Sequence, residues 1–444
     1  MSFRMRKGFG LSRIRFYQFT LIWICIILSL STIPALSSQV FPMPEEIEDN
    51  VAFWIRIFTQ FSTDEVVIHD SDHPMIIYKV IDLSSYGSEL SARERWDLVE
   101  DTKDRYKETL KSLAMQPKPI LFDSLNQRER DLYILWAEVN KPDKFEQAMT
   151  NIRGQLGLRD RFIRSIQRSG RYYDEMVSVF ESYGLPPELC FLPHVESSFN
   201  HLAYSKAGAA GMWQFTRYTG HLFLRINNIV DERLDPFIST RAAARLLKKN
   251  YMELQSWPLA ITAYNHGLYG MKRARQQLGT DDFGEIVSKY KSRTFGFASK
   301  NFYAEFLAAC HVAEQQDKYF PKIRIHEPVH YKIVNLDDYL TFRQISEKFD
   351  VPIRTLKKHN PAFRRAVTQE YRKIPKGYQL RIPMTEGIVS TANAMSTENE
   401  YNQTKQTTSA QRENNSHISS QKDSLKIPVV EQIYQEHSDG LGTE

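Results

Sequence analysis

The chain has 444 residues, 58 basic against 53 acidic side chains, and a hydrophobic fraction of 42%. At about 100–200 residues per domain, two to four domains fit, and the composition with a mean hydropathy of −0.45 excludes a disordered, fibrous or polytopic membrane protein. The near balance of charge calls for no nucleic acid as partner, and three cysteines exclude both a disulfide-dense scaffold and a four-cysteine zinc site.

The first sixteen residues carry Arg4, Arg6, Lys7, Arg13 and Arg15 and no acid. An apolar run from Leu21 to Leu28 follows, and Ala35 and Ser37 stand at the spacing of a signal-peptidase site. Residues 1–37 therefore read as a secretory signal peptide or, if the run includes Phe16 to Phe19, an uncleaved membrane anchor. Cys25 follows Ile24, where a lipidation site needs a small residue. Cys190 and Cys310 sit in apolar helical surroundings and are expected as buried free thiols.

Residues 38–157 read as mostly helical with one β-hairpin. Asn50 to Phe61 is apolar and fits a helix or a strand. The runs VVIH and MIIYKV flank Asp70-Ser71-Asp72-His73-Pro74, a hairpin pattern. Helices follow at Ser91 to Leu113 and Gln127 to Trp136. Residues 158–320 read as an all-α domain. Apolar periodicity runs unbroken from Arg159 to Tyr183 and stops at Gly184. Pro187 opens the next helix, Ser239 or Thr240 caps another, and a further one runs from Pro258 to Gly267. Residues 331–384 read as a compact β-α-α-β module. Residues 385–444, rich in Ser, Thr, Asn and Gln, are expected to be disordered. The predicted fold class is thus mainly α.

The chemistry concentrates in Leu192 to Gly220. Glu196 stands among apolar neighbours at the C-terminal end of the helix begun at Pro187. The helix dipole and nearby aromatic rings should both disfavour its ionisation, as a general acid requires. Gly208, Gly211 and Gly220 mark places where backbone approaches something closely. Trp213, Phe215 and Tyr218 offer flat apolar faces, and Ser205, Gln214 and Thr216 offer hydrogen-bonding groups. Faces with amides and hydroxyls suit a sugar ring better than a phosphate, which would want a lysine where Met212-Trp213 stands. His194-Val195-Glu196 lacks the P-C-x-x-C partner of a zinc deaminase, and H-E-x-x-H is absent. No metal and no cofactor are expected. The acids Asp231, Glu232 and Asp235, with Arg233 and Pro236, read as a loop held by ion pairs and caps.

These residues resemble the catalytic core of the soluble-type lytic murein transglycosylases, a family related in fold to goose-type lysozyme. Glu196-Ser197-Ser198-Phe199 matches its E-S-x-F motif, Gly211-Met212-Trp213-Gln214 its G-x-x-Q, and Ala263-Tyr264-Asn265-His266-Gly267 its A-Y-N-x-G. Trp213 in place of Met, and the run from Val230 to Pro236, resemble the subgroup of membrane-bound lytic murein transglycosylase D. Residues 331–384 resemble a LysM module, with Leu336-Asp337-Asp338-Tyr339-Leu340 in place of the usual G-D-T-L turn.

The resemblance implies a lysozyme-like catalytic domain acting on peptidoglycan glycan strands, with membrane association where the N-terminus is retained as an anchor. It implies that Glu196 is the catalytic acid and then base, and that Ser205 contacts the substrate's N-acetyl group. Gln214, Tyr264, Asn265, Ser197, Met212 and Trp213 complete the implied substrate site. Ordinary glycosidases use two carboxylates, and none pairs with Glu196 in sequence. The implied route therefore uses the substrate's own 2-acetamido oxygen and closes a 1,6-anhydro ring. A hydrolytic muramidase, or a wall-binding protein without catalysis, are the alternatives.

Overall fold

The computed structural model describes residues 40–86 and 91–384. The leader expected over 1–37 and the tail expected over 385–444 lie outside the described residues. Those described are mainly helical, with one three-stranded and one two-stranded sheet. No helix among them is long and apolar enough to cross a membrane.

The apolar run near residue 50 is a helix. Glu48–Thr59 (α1) buries Val51, Phe53, Trp54, Ile57 and Phe58; the pairs Val51/Trp54, Phe53/Ile57 and Trp54/Phe58, three or four apart, place them on one face. The predicted hairpin forms from Glu65–Asp70 (β1) and Ile77–Asp82 (β2), paired antiparallel from Glu65↔Asp82. Its turn closes on the Asp70 carboxylate, which accepts the amides of Asp72 and His73 at 2.9 and 2.8 Å. A third strand, Ile152–Leu156 (β3), pairs with the other edge of β1. The sequence reading took that stretch as helical. IRGQL has no apolar alternation to announce a strand; only pairing with β1 makes it one, and Gly154 lets the Val66, Ile68 and Val99 side chains close over it. Ala92–Met115 (α2) and Gln127–Leu135 (α3) each begin with a reciprocal capping box, Ser91 with Glu94 and Asn126 with Glu129. With Lys144–Asn151 (α4) they enclose a core around Ile68, Leu110, Trp136 and Phe145.

The stretch expected as one helix from Arg159 is two: Arg159–Ser169 (α5) and Tyr173–Ser182 (α6). They break at Gly170, where a Cβ would collide with the Ile325 side chain and the His326 carbonyl. Gly184 ends the second at φ +66. A 3-10 turn at Pro187–Phe191 leads into the short helix Leu192–Glu196 (α7). Pro236–Leu254 (α8) is capped by neither Ser239 nor Thr240. Its cap is Asp235, whose carboxylate accepts the amides of Phe237 and Ile238 at 3.1 and 2.9 Å, while Ser239 and Thr240 bond back to the preceding turn. Trp257–His266 (α9), Leu268–Leu278 (α10), Phe283–Lys289 (α11) and Phe297–Glu314 (α12) complete the bundle. α12 runs through its middle and packs on α1, where Asn301 Oδ1 accepts both Asn50 Nδ2 and Trp54 Nε1. α1 thus shares its core with the bundle. Cys190 and Cys310 are buried and free, as expected.

The C-terminal module has the expected order: Tyr331–Asn335 (β4), Phe342–Phe349 (α13), Ile353–His359 (α14), an added helical turn, and Gln379–Pro383 (β5) antiparallel to β4. It is joined closely to the bundle. Val230 bridges to Phe363 and enters the module's core. The Asp231 amide donates to the Ala362 carbonyl at 2.7 Å, and the Arg364 amide to that of Ile229 at 2.9 Å. Asp231 pairs with Arg364 at 2.8 Å, and Asp235 with Arg381. The loop read as held by ion pairs and caps is so held, and half of its partners come from the module.

Asp235 and Arg381 are both buried, so removing one leaves the other charged and unmatched. Arg381→Met should destabilise the full chain by about 3–5 kcal/mol. Asp235→Asn combined with Arg381→Met should cost clearly less than the sum of the single changes, as read by denaturant unfolding.

Candidate active site

Glu196 ends α7, and the backbone turns sharply after it. Ser198 and Phe199 both take left-handed conformations, at φ 51 and 54. Such values are rare for non-glycine residues and persist only where surroundings enforce them. Here three contacts do so. Arg168 donates to the Ser198 carbonyl at 3.1 Å, the Phe199 amide donates to the Pro193 carbonyl at 2.9 Å, and the Phe199 ring packs edge-on against His194. His194 is scaffold. It stacks on Phe162, its Nδ1 meets the Ser165 hydroxyl at 2.7 Å, and burial lowers its pKa to about 3.

The G-x-x-Q loop faces this turn. Gly211 sits at φ +83 against the Arg233 carbonyl, so close that a Cβ would overlap it. Only glycine fits on both counts. Arg233 is buried and spends its guanidinium on this loop. It pairs with Asp231 through two bonds of 2.9 and 2.8 Å and donates to the carbonyls of Gly208 and Phe215 at 2.8 and 3.1 Å. Burial alone would push the Asp231 carboxyl up, but bonds and charges from Arg233 and Arg364 outweigh it and hold it low. The sequence reading foresaw ion pairs here but not that Arg233 anchors the loop opposite Glu196. That role depends on Gly208 and Phe215 carbonyls that no sequence pattern marks.

The expected site residues divide into two groups. Ser197, Met212 and Trp213 are buried and offer no surface to a ligand. Ser197 Oγ donates to the Met212 carbonyl at 2.8 Å and ties the two motifs together. Trp213 stacks on Phe180 and donates from Nε1 to Thr240 Oγ1 at 2.9 Å. Phe215 is buried as well, whereas Tyr218 and the unforeseen Tyr204 beside Ser205 present exposed rings. Gln214 is mostly buried at φ 45, its amide donating to the Gly211 carbonyl at 2.8 Å.

The second group reaches solvent. Ser205 Oγ accepts the Ala209 amide at 2.9 Å, which leaves its own proton for a ligand. Tyr264, half-buried on α9, donates to the Trp213 carbonyl at 2.8 Å. Burial and the nearby Glu196 charge keep its phenol neutral. Asn265 is exposed, its amide oriented by Ser299 Oγ at 2.9 Å. His266 lies against Gly270 and Phe295 and serves the packing of α9 on α10.

Glu196 retains partial exposure, yet desolvation pushes its carboxyl up to about 8. Among the described residues no Lys or Arg pairs with it. The cause is therefore burial rather than the dipole of a five-residue helix. The acids that follow it in sequence are committed elsewhere. Asp231 holds Arg233 and Arg364, Asp235 holds Arg381 and the α8 cap, and Glu232 holds the Arg225 backbone and guanidinium. Among the described residues no cluster of three metal-ligating side chains occurs.

Residues 181–287, which contain all of these motifs, match the family model of the transglycosylase SLT domain. The match takes in 107 of the 444 residues. The chain is 26% identical over 215 residues to membrane-bound lytic murein transglycosylase D of Escherichia coli (strain K12), and equally to that of strain O6:H1. That match takes in 46% of this chain and 47% of the relative, so the chain spans about half the length of these relatives. A protein of Alteromonas sp. (strain M-1), provisionally named for tributyltin chloride resistance, is 36% identical over 102 residues, 22% of this chain and 49% of its own.

Gly211→Ala should destabilise the chain by more than about 2 kcal/mol, from backbone strain and forced displacement of the Arg233 carbonyl, read by thermal unfolding. The raised pKa of Glu196 makes stability depend on pH. Ionisation is disfavoured in the folded state, so stability falls as pH rises from the ordinary value of 4.5 through about 8. Glu196→Gln should unfold at the same temperature as wild type near pH 4. It should be more stable near pH 9, by ~1–2 kcal/mol once solvent access is allowed for.

Proposed function

We propose that the protein is a peptidoglycan lytic transglycosylase acting outside the cytoplasm on the glycan strands of the cell wall. The observation that carries the reading is one buried carboxyl with no cation beside it, while the acids that follow it in sequence, Asp231, Glu232 and Asp235, are each held by an arginine. Such a site can donate a proton near neutral pH but offers no second carboxylate as nucleophile or base.

In the proposed reaction Glu196 protonates the oxygen of the β-1,4 bond between N-acetylmuramic acid and N-acetylglucosamine. As that bond breaks, the 2-acetamido oxygen of the muramic residue bonds to its own anomeric carbon, giving an oxazolinium ion. Ser205 supports the acetamido group through its unused proton, and Tyr264, a neutral phenol beside Glu196, places an oxygen lone pair near the developing positive charge. Glu196, now a carboxylate, takes the proton of the 6-hydroxyl, and O6 displaces the acetamido oxygen at C1. The product carries a 1,6-anhydro ring, water is not consumed, and Glu196 is returned protonated. Asn265 orients the sugar. Gln214 and the side chains of Ser197, Met212 and Trp213 shape the loop from behind. The names of the Escherichia coli relatives, which refer to murein, support the substrate class. The division into a leader, an N-terminal region to 157, a catalytic domain at 158–320 and a LysM-like module at 331–384 is proposed with it.

Mass spectrometry of fragments released from purified peptidoglycan tests the reading. Fragments ending in 1,6-anhydromuramic acid, lighter by one water than hydrolysis products, are expected. Reducing ends would show a hydrolase and overturn the one-carboxylate route. Glu196→Gln should lower the rate by at least about 1000-fold with its fold retained, since the amide keeps the shape but delivers no proton. Turnover should also fall as pH rises through about 8, where the acid form of Glu196 is lost.

A further inference from the structure

A cavity of about 650 Å³ lies between the bundle and the C-terminal module, apart from the residues assigned to the reaction. Arg171 from the break between α5 and α6, Arg324 from the segment before β4, and Lys358 from α14 line it. None of the three takes part in an ion pair among the described residues. Glu327 is the one acid in the lining. His201 and His326 add neutral hydrogen-bonding groups. The surrounding cations help hold both imidazoles below their ordinary pKa, after burial, and buried His326 Nδ1 has no hydrogen-bond partner in the protein. The walls are fixed. The His326 amide donates to the Gln167 carbonyl at 3.0 Å, Gly170 packs beneath it, and Tyr172 meets His201 at 3.1 Å.

Concentrated, unneutralised positive charge in a formed cavity costs stability through self-repulsion, and an anionic ligand would offset that cost. The cations come from three separate elements around a large volume. That arrangement fits several single charges on an extended ligand better than one compact phosphate, which asks for converging amides or a bidentate arginine. The lining includes His201, five residues after Glu196, and Arg168, three residues before Arg171, donates to the Ser198 carbonyl. A glycan strand seated on Glu196 would carry its peptide stems, with their free carboxylates, past this edge of the site.

We infer that this cavity binds the carboxylates of peptidoglycan peptide stems, so that the protein selects strands that still carry peptides; the inference rests on the function proposed above. Arg171, Arg324 and Lys358 are the specificity-determining cations, and the junction with the C-terminal module is what forms the site.

The test uses the full chain and two probes. The soluble stem tetrapeptide is titrated calorimetrically into wild type and into a variant with both Arg324→Gln and Lys358→Gln, two exposed side chains whose loss leaves the core intact. Cleavage of glycan with intact stems is then compared with cleavage of glycan stripped by an amidase. The tetrapeptide should bind wild type and bind the variant about 5- to 30-fold more weakly, the sum of two partly exposed charge contacts. The variant should lose the preference for stem-bearing strands and cleave stripped glycan at the wild-type rate. No binding to wild type, or equal binding to both proteins, overturns the site even if both cleave. Inorganic phosphate displacing the tetrapeptide at lower concentration than the tetrapeptide itself overturns the ligand assignment. Stem binding without cleavage of either glycan keeps the site and removes the reaction.

Discussion

A single carboxyl group, held where water reaches it poorly and no cation stands beside it, is the constraint on which the rest of the site depends. A carboxylate in water is ionised at neutral pH and cannot donate. Glu196 is moved into the useful range by loss of solvation, the simplest of the available causes. That solution makes demands on everything around it. A nearby arginine would pull the group back to the ionised form, so the many arginines of this region must be occupied or kept at a distance. Arg233 is the instructive case. It is buried against the G-x-x-Q loop, yet both Asp231 oxygens and two backbone carbonyls consume its donors.

The same arrangement gives the site its rigidity. Ser197 and Tyr264 each donate to a carbonyl of the G-x-x-Q loop, from Met212 and Trp213 respectively. Gly211 presses that loop onto Arg233, and Asp231 passes the connection on to Arg364 in the C-terminal module. All three motifs therefore meet where the hydroxyls of Ser197 and Tyr264 reach main-chain carbonyls of the G-x-x-Q loop. Preorganisation of this kind places groups before substrate arrives and spares the reaction the cost of ordering them. It also means that the C-terminal module is structurally continuous with the G-x-x-Q loop, through the ion pair of buried Asp231 with Arg364.

Much of this was legible in the sequence because the signals are local. The helices beginning near Ser91 and Gln127, the hairpin around Asp70, the stop at Gly184 and the order of the terminal module are each written within a few residues. Glu196, Ser205, Tyr264 and Asn265 stand in short motifs and come to accessible positions on the structure. What could not be read depends on distant partners. β3 is a strand only because β1 offers it an edge. The α5–α6 break exists because Ile325 and His326 lie across Gly170. The cap of α8 is Asp235, which sequence made one acid among three in a charged loop. Trp213 reads as a sugar platform by its neighbours, but Phe180 and Thr240 take it into the core. In each case tertiary contact overrides a reasonable local preference.

The central claim is that Glu196 is a proton donor at neutral pH because burial makes it one. Carbon-detected NMR titration of the Glu196 side-chain carboxyl in the full chain, assigned by its disappearance in Glu196→Gln, measures this directly. A midpoint well above 4.5 and near 8 is the predicted result. A midpoint at the ordinary glutamate value would mean that the carboxyl is ionised when substrate arrives, and the account of the site would be wrong.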